Sequence, residues 1–355
     1  MSLFKRKEKA TGEILAGGES AIANKEVEGL SQGQIVRRRF FRHRAAVGAL
    51  VVLTSLILFV MTALETKIGP LRIPGWWKWT TEDIPALRFE DCPGGTTGCP
   101  TFSLKPGSSF GLGTHPFGQD DIGRDYFALV MNGARRSLMI MFVIGAVAGF
   151  IGVVVGSIAG FYGKMVDAVL MRIVDFIQTV PTIIIAAVIG KAAGKVGPLY
   201  LALFLGILGW TGLARLVRAQ FLSLREMEFV DAARVAGASN IRIAFKHILP
   251  NAVGQIIVSI TLIMAGAILT ETALSYLGFG VVAPDVSLGL LISQYESSFT
   301  TRPWLFWWPG LFIISIALCV NFIGDGLRDA FDPRQRRRIT KKDRLQAKVQ
   351  AKAGA

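Results

Sequence analysis

LREMEFVDAARVAGASNIRIAFKHILPNA, residues Leu224 to Ala252, is a charged interval between two long apolar runs. Met227, Val230, Ala233 and Ala236 recur at helical spacing. Gly237 follows where a helix can end in the left-handed region. Ser239 or Asn240 can cap a second helix, whose apolar stripe would be Ile241, Ala244, Phe245 and Ile248. Pro250 marks the start of the next apolar run. The expectation is a compact helix–turn–helix with one apolar side and one charged side. A plain surface hairpin is the simplest reading. A hairpin this short has little core of its own, so its stripe is expected to dock on a partner.

Outward from this interval the chain is apolar. Val196 to Ala214 precedes it and Ile248 to Thr270 follows, both without charge. Ala45 to Leu64, Ser137 to Tyr162 and Pro303 to Gly324 are of the same kind. Each is long enough to cross a hydrocarbon core of about 30 Å as a helix. A sixth span, Val166 to Gly190, carries Asp167, Arg172 and Asp175 in its first half. Six spans put both ends of the chain on one side. The fold class expected is an all-α polytopic membrane protein with six transmembrane helices.

Composition agrees. Of 355 residues 52% are hydrophobic and 18% charged, and mean hydropathy is +0.48. Soluble domains carry about a quarter charged residues, and disordered chains are poor in apolar ones. The formal net charge of +14 nevertheless needs an explanation. Residues 1–44 hold ten Lys/Arg against five acids, Thr211 to Pro250 six against three, and residues 327–355 ten against three. Together these pieces carry 26 of the 39 basic residues, all on one face in the six-span arrangement. The loop from Glu65 to Arg135 is balanced, with seven against eight. The positive-inside rule then places both termini in the cytoplasm, and nucleic acid is not expected as a partner. No apolar region follows the first residues closely enough for a secretory signal peptide, so the first span is expected to act as an uncleaved anchor.

The organisation expected is a basic tail at 1–44, a first span at 45–64, an extracytoplasmic loop at 65–135, a five-helix core at 136–325 that includes the interval 224–250, and a basic tail at 326–355. Cys92 and Cys99 lie in the outer loop within CPGGTTGC. A disulfide is favoured there on compartment grounds, with two free thiols as the alternative. Cys319 reads as a packing residue in the last span. Gly145, Gly149, Gly152, Gly156 and Gly160 put small residues along one side of the second span, which favours close helix packing over a conduit lining. Asp175 and Glu271 are candidates for the pathway or a gate, because ionisable groups in spans are costly. Against this, Arg172 and Asp175 can pair with each other three residues apart, and Glu271 can hold the outer loop in place. Ser287 to Phe299 reads as a short amphipathic helix on the membrane surface.

The interval also resembles a known element. Asp231-Ala232-Ala233, then Gly237, then His247-Ile248-Leu249-Pro250 resembles the EAA loop of ABC importer permeases, with Asp for the usual first Glu and His for the usual Ile. HPFGQDDIGRDYFALVMNGARRSL (His115 to Leu138), ETALSYLGFGV (Glu271 to Val281) and GDGLRDAFDPR (Gly324 to Arg334) resemble further blocks of the peptide-importing branch. The resemblance covers about His115 to Arg334 and is nearest the second, C-type permease of dipeptide and oligopeptide transporters.

That resemblance implies a type I ABC importer permease fold in a prokaryotic plasma or inner membrane. The implied partners are a second homologous permease, two ATPase subunits, an extracytoplasmic peptide-binding protein and the lipid bilayer. Glu228, Asp231, Ala232, Ala233, Gly237, His247, Leu249 and Pro250 would then couple to the ATPases. In that scheme Gly237 makes the turn, Ala232 and Ala233 allow close approach, and Asp231 offers a charged contact. ATP and magnesium would be held by the ATPases, with no cofactor or metal in this chain. Close relatives carry nickel, glutathione or other small solutes, which the same role accommodates.

No G-x-x-x-x-G-K-[ST] phosphate loop occurs. Gly107-Ser108-Ser109-Phe110-Gly111 matches G-x-S-x-G, but that motif works as a nucleophile elbow only between a strand and a helix. A membrane-embedded hydrolase using this loop is the remote rival, and no H-E-x-x-H zinc pattern supports it.

Overall fold

The computed structural model describes residues 32–68, 71–87, 92, 96–101 and 113–331. The Gly107–Gly111 motif and most of both tails lie outside them. Helix α1 (Gln32–Arg42) leads into α2 (Arg44–Ala63), which His43 caps by accepting the Ala46 N–H at 3.1 Å. Strands β1 (Thr66–Ile68) and β2 (Leu71–Ile73) pair antiparallel just beyond. Helix α3 (Tyr126–Tyr162) follows, and then α4 (Lys164–Thr179), α5 (Thr182–Val196), α6 (Pro198–Leu208) and α7 (Thr211–Leu224). The hairpin contributes α8 (Glu228–Val235) and α9 (Asn240–Arg242), a π-helical turn (Ile243–Ile248) and then α10 (Leu249–Tyr276). Helices α11 (Leu288–Tyr295) and α12 (Trp304–Phe331) complete the described chain.

Among the described residues four helical segments are long and apolar enough to span a membrane: Arg44–Ala63, Tyr126–Tyr162, Asn240–Tyr276 and Trp304–Phe331. Two bent pairs raise the number to as many as six if each pair is one span. One of them corrects the single helix expected at Val166 to Gly190, since α4 and α5 meet at a 74° bend. Pro181 explains the break. It forces Val180 out of the helical region, to φ −87° and ψ 130°. The other pair, α6 and α7, bends by 42° at Gly209-Trp210. The second span also starts earlier than the charges suggested. Asp125 caps α3 through the Ala128 N–H, so the residues around Arg135 and Arg136 are already helical.

Helix α3 is central, and its glycines set how closely its neighbours approach. A Cβ on Gly145 or Gly149 would meet Met264 or Ile260 of α10. One on Gly152 or Gly160 would meet Leu213 or Phe221 of α7. This is a packing stripe. At Gly156 a Cβ would lie 2.5 Å from the Ala214 carbonyl oxygen, a backbone atom that cannot swing aside. Gly156→Ala is therefore expected to cost about 1–3 kcal/mol through overpacking. Gly212 has open space around it, so Gly212→Ala should be neutral or slightly stabilising. Thermal unfolding of the purified chain separates the two. Equal midpoints would show that the α3–α7 contact is not tight.

Helix α11 also departs from expectation. It is not a surface helix. Leu288, Leu291 and Tyr295 are buried with Leu129 of α3 and Leu305 of α12 in the largest apolar cluster. Ser287 caps it by accepting the Leu290 N–H at 3.2 Å.

Candidate functional site

The hairpin sits on a small core of its own. Val230 and Ala233 of α8 pack with Leu213, Val217 and Phe221 of α7, with Ile243 and Ile248 of the π turn, and with Ala252 and Ile256 of α10. The short hairpin is thus braced by the spans on either side of it. Its turn is a full Schellman cap. Gly237 has φ +78°, its N–H reaches the Arg234 carbonyl at 3.0 Å, and the Ala238 N–H reaches the Ala233 carbonyl at 3.0 Å. Ser239, and not Asn240, caps the next helix, accepting the Arg242 N–H at 3.4 Å.

The second half of the hairpin differs from the expected stripe. Ile243 and Ile248 are buried, whereas Ile241 and Phe245 are 68% and 59% exposed. The cause is the π turn, in which residues five apart share a face. The Leu249 N–H bonds back to Ala244. The widened turn directly precedes Pro250, whose ring would clash with the carbonyl four residues back in a regular helix. The chain therefore runs helically from Asn240 into the span without a stop at Pro250.

These placements sort the expected site residues. At 100° per residue, Glu228, Asp231, Ala232 and Val235 share one face of α8, opposite Val230 and Ala233. All four are exposed, Val235 by 90%. Asp231 pairs with Arg234 at 2.9 Å, so it is oriented along the helix surface. Ala233 is buried in the core behind the hairpin. Gly237 is exposed with open space around it. His247 and Leu249 are half-buried, and Pro250 is exposed. The His247 carbonyl accepts from the Asn251 side chain at 2.7 Å. Val235 is the residue that the sequence reading missed, whereas Ile241 and Phe245 belong to the stripe expected to dock and are exposed. An exposed apolar side chain on an otherwise polar helix face was the available signal for Val235.

Asp167, Asp175 and Glu271 are tied to other helices of the fold. Asp175 bonds Arg215 of α7 at 2.5 Å instead of Arg172. Asp167 makes a two-point contact with Arg218, its Oδ2 accepting from Nη2 at 2.6 Å. Together the two pairs fasten the bent α4 to α7. Glu271 is fully buried and accepts from Ser137 at 3.0 Å and Ser275 at 2.8 Å. The Leu288 N–H in turn reaches Ser137 at 3.3 Å. Glu271 thus joins α3, α10 and the start of α11.

On the opposite side, Cys92 and Cys99 are bonded, with Cα atoms 5.5 Å apart. Asp125, also fully buried, accepts from Trp77 Nε1 at 2.7 Å and from His115 Nδ1 at 2.8 Å. Asp120 accepts from Arg124 at 2.6 Å and from the Tyr295 hydroxyl at 3.1 Å. Burial, followed by the Asp120 carboxylate, pushes the Tyr295 hydroxyl well above its ordinary pKa. Among the described residues no cluster of three His, Cys, Asp or Glu side chains suits a metal ion.

Residues 152–337 match the family described as binding-protein-dependent transport system inner membrane component. Residues 31–71 match the N-terminal TM domain of oligopeptide transport permease C. The chain is 37% identical over 311 residues to the oligopeptide transport system permease protein OppC of Escherichia coli (strain K12), covering 88% of this chain and 94% of that one. It is 37% identical over 307 residues to the protein of the same name from Mycobacterium bovis, covering 86% and 96%. Among solved structures, a MetNI methionine ABC transporter in inward-facing conformations is similar at 22% identity and TM-score 0.47, over 58% of this chain and 97% of that one.

Proposed function

Because this chain belongs to the binding-protein-dependent inner membrane components and is an ABC peptide permease, we propose that it is the C-type transmembrane subunit of an oligopeptide importer. It works in a prokaryotic plasma or inner membrane as a multi-pass protein, with six spans and both termini in the cytoplasm. Its partners are a second permease, two ATPase subunits and an extracytoplasmic peptide-binding protein. ATP and magnesium belong to the ATPases, and peptide moves inward unmodified between the two permeases. The domain division at 1–44, 45–64, 65–135, 136–325 and 326–355 is part of the proposal.

The observation that carries the coupling step is the outward face of α8. Glu228, Asp231, Ala232 and Val235 are exposed together on a helix braced from behind by α7 and α10. A braced helix transmits displacement to the spans it packs on, whereas a loose loop would absorb it. ATP-driven movement of the ATPases thereby reaches the pathway through α7 and α10.

The test is peptide uptake with Gly237→Val. A β-branched residue in the left-handed region costs about 1–2 kcal/mol, and relief of that strain re-aims α8 while the spans keep their own sequence. Uptake is expected to fall about tenfold or more, with membrane insertion intact and ATP hydrolysis no longer stimulated by loaded binding protein. Full uptake by this variant would remove the hairpin from the coupling step. Asp231→Ala is the companion variant, which deletes the charged contact and leaves the turn alone.

A further inference from the structure

The feature of α1 that orientation alone does not explain is that it is folded and fixed in place. Phe40 is 8% exposed and packs with Ala46 and with Ala330 of α12, while Val36 and Leu327 close over the same spot. Gly326 permits this approach, since a Cβ there would fall 2.2 Å from Ala46 Cβ and 3.4 Å from the Phe40 ring. His43 caps α2 with one ring nitrogen and lies 3.4 Å from Asp329 with the other. The helix is thus clamped against the last turns of α12, one residue before an apolar span begins.

The outer side of α1 carries a concentrated charge. Five arginines, at 37, 38, 39, 42 and 44, fall within eight residues, and no Asp or Glu lies between 32 and 44. Arg37, Arg38, Arg42 and Arg44 are exposed. Arg38 and Arg42 project opposite the clamped Phe40, and Phe41 lies beside them, 57% exposed. All five positions are arginine. Its planar fork suits a phosphate, and its charge does not titrate away.

We propose that α1 is a headgroup-binding element, and that Arg37, Arg38 and Arg42 hold the phosphates of anionic phospholipids. Phe41 anchors the helix at the boundary between headgroups and acyl chains. The occupant follows from three observations. The helix is next to a span in sequence, which sets its depth at the membrane surface. Its exposed face joins cations to an aromatic ring, the composition of an interfacial helix. It also contains no carboxylate to neutralise them. Because α1 is locked to α12, lipid held there is coupled to the end of a core span. The proposal requires only that Arg44–Ala63 cross the bilayer, and it holds or fails independently of the substrate.

The full chain, purified in detergent, is mixed with equal amounts of phosphatidylglycerol and phosphatidylcholine of matched acyl chains. Retained lipid is then counted by native mass spectrometry. The unaltered chain is expected to retain phosphatidylglycerol severalfold over phosphatidylcholine, and Arg37→Gln/Arg38→Gln/Arg42→Gln to bring the two near parity. Arg336→Gln/Arg337→Gln/Arg338→Gln removes the same charge from another basic run of the sequence and should keep the preference. An equal loss in both triple variants, or in neither, overturns the site. So does a variant that sheds the ATPase subunits on co-purification while its lipid ratio is unchanged, since the arginines would then serve a protein partner. If the triple variant fails to fold, a spin label at Phe41→Cys in the otherwise unaltered chain decides. Headgroup depth in a bilayer supports the proposal, and a fully aqueous position overturns it.

Discussion

Val235→Asp is expected to abolish peptide uptake while the chain still inserts and folds. Val235 is 90% exposed and is not part of the hairpin's buried core. Its exposure is nevertheless the largest of any apolar side chain of the hairpin. It completes the face made by Glu228, Asp231 and Ala232. In a docked assembly this residue would fill an apolar site, and a carboxylate there would be buried without a partner. Loss of a central anchor in an interface costs about 2–4 kcal/mol, which corresponds to roughly 30- to 1000-fold in affinity. Co-purification of the ATPase subunits with the permease measures it directly. Retention of the ATPases at full yield by Val235→Asp would place their docking surface elsewhere. Val230→Asp makes an instructive contrast. Val230 is fully buried in the hairpin core, so that change should unfold the hairpin and lower the yield of inserted chain.

The second large effect is expected at Asp125, on the other side of the molecule. One buried carboxylate there serves three donors: the Ala128 N–H at the start of α3, Trp77 Nε1 and His115 Nδ1. His115 also stacks on Trp79 with ring centroids 5.5 Å apart. Asp125→Ala would leave three donors without an acceptor and remove the cap of the longest helix. The expected cost is about 3–5 kcal/mol, since hydrogen bonds to a charged group that end unsatisfied in a buried site are the expensive kind. Asp125→Asn keeps one acceptor and should cost less. Thermal unfolding of the purified chain, with limited proteolysis of the segment before α3, reads both effects. A midpoint within a degree of the unaltered chain for Asp125→Ala would show that the aspartate is not the anchor of this region.

The regions legible in the sequence were those where a local rule had no competitor. Charge-free runs located α2 at both ends, whereas α3, α10 and α12 each match at one end and extend about two to three turns beyond the expected run at the other. The Gly237 turn could be read because only one residue type sits comfortably at a positive φ. The packing role of the α3 glycines followed from their spacing. Where two influences met, the reading failed. Pro181 lies in an apolar run whose hydropathy alone suggests one unbroken helix, whereas the proline divides it into a bent pair. Arg172 and Asp175 have the spacing of a helix pair, yet a better oriented partner, Arg215, lies on another helix. Helix α11 has an amphipathic pattern suited to a membrane surface, and the same pattern suits burial against three helices.

The sequence by itself determined the class of molecule, which segments are apolar enough to span, and the family. Each of these depends on composition or on short motifs that carry their own chemistry. The tertiary structure alone decided which residues of the hairpin face outward, that Glu271 and Asp125 are buried hubs, and that α1 is clamped to α12. Facing and burial depend on groups far apart in the chain, such as Ser137 and Glu271, or Phe40 and Ala330. The π turn ahead of Pro250 keeps Ile248 buried, adds Ile243 to the buried side and leaves Ile241 and Phe245 of the expected stripe exposed.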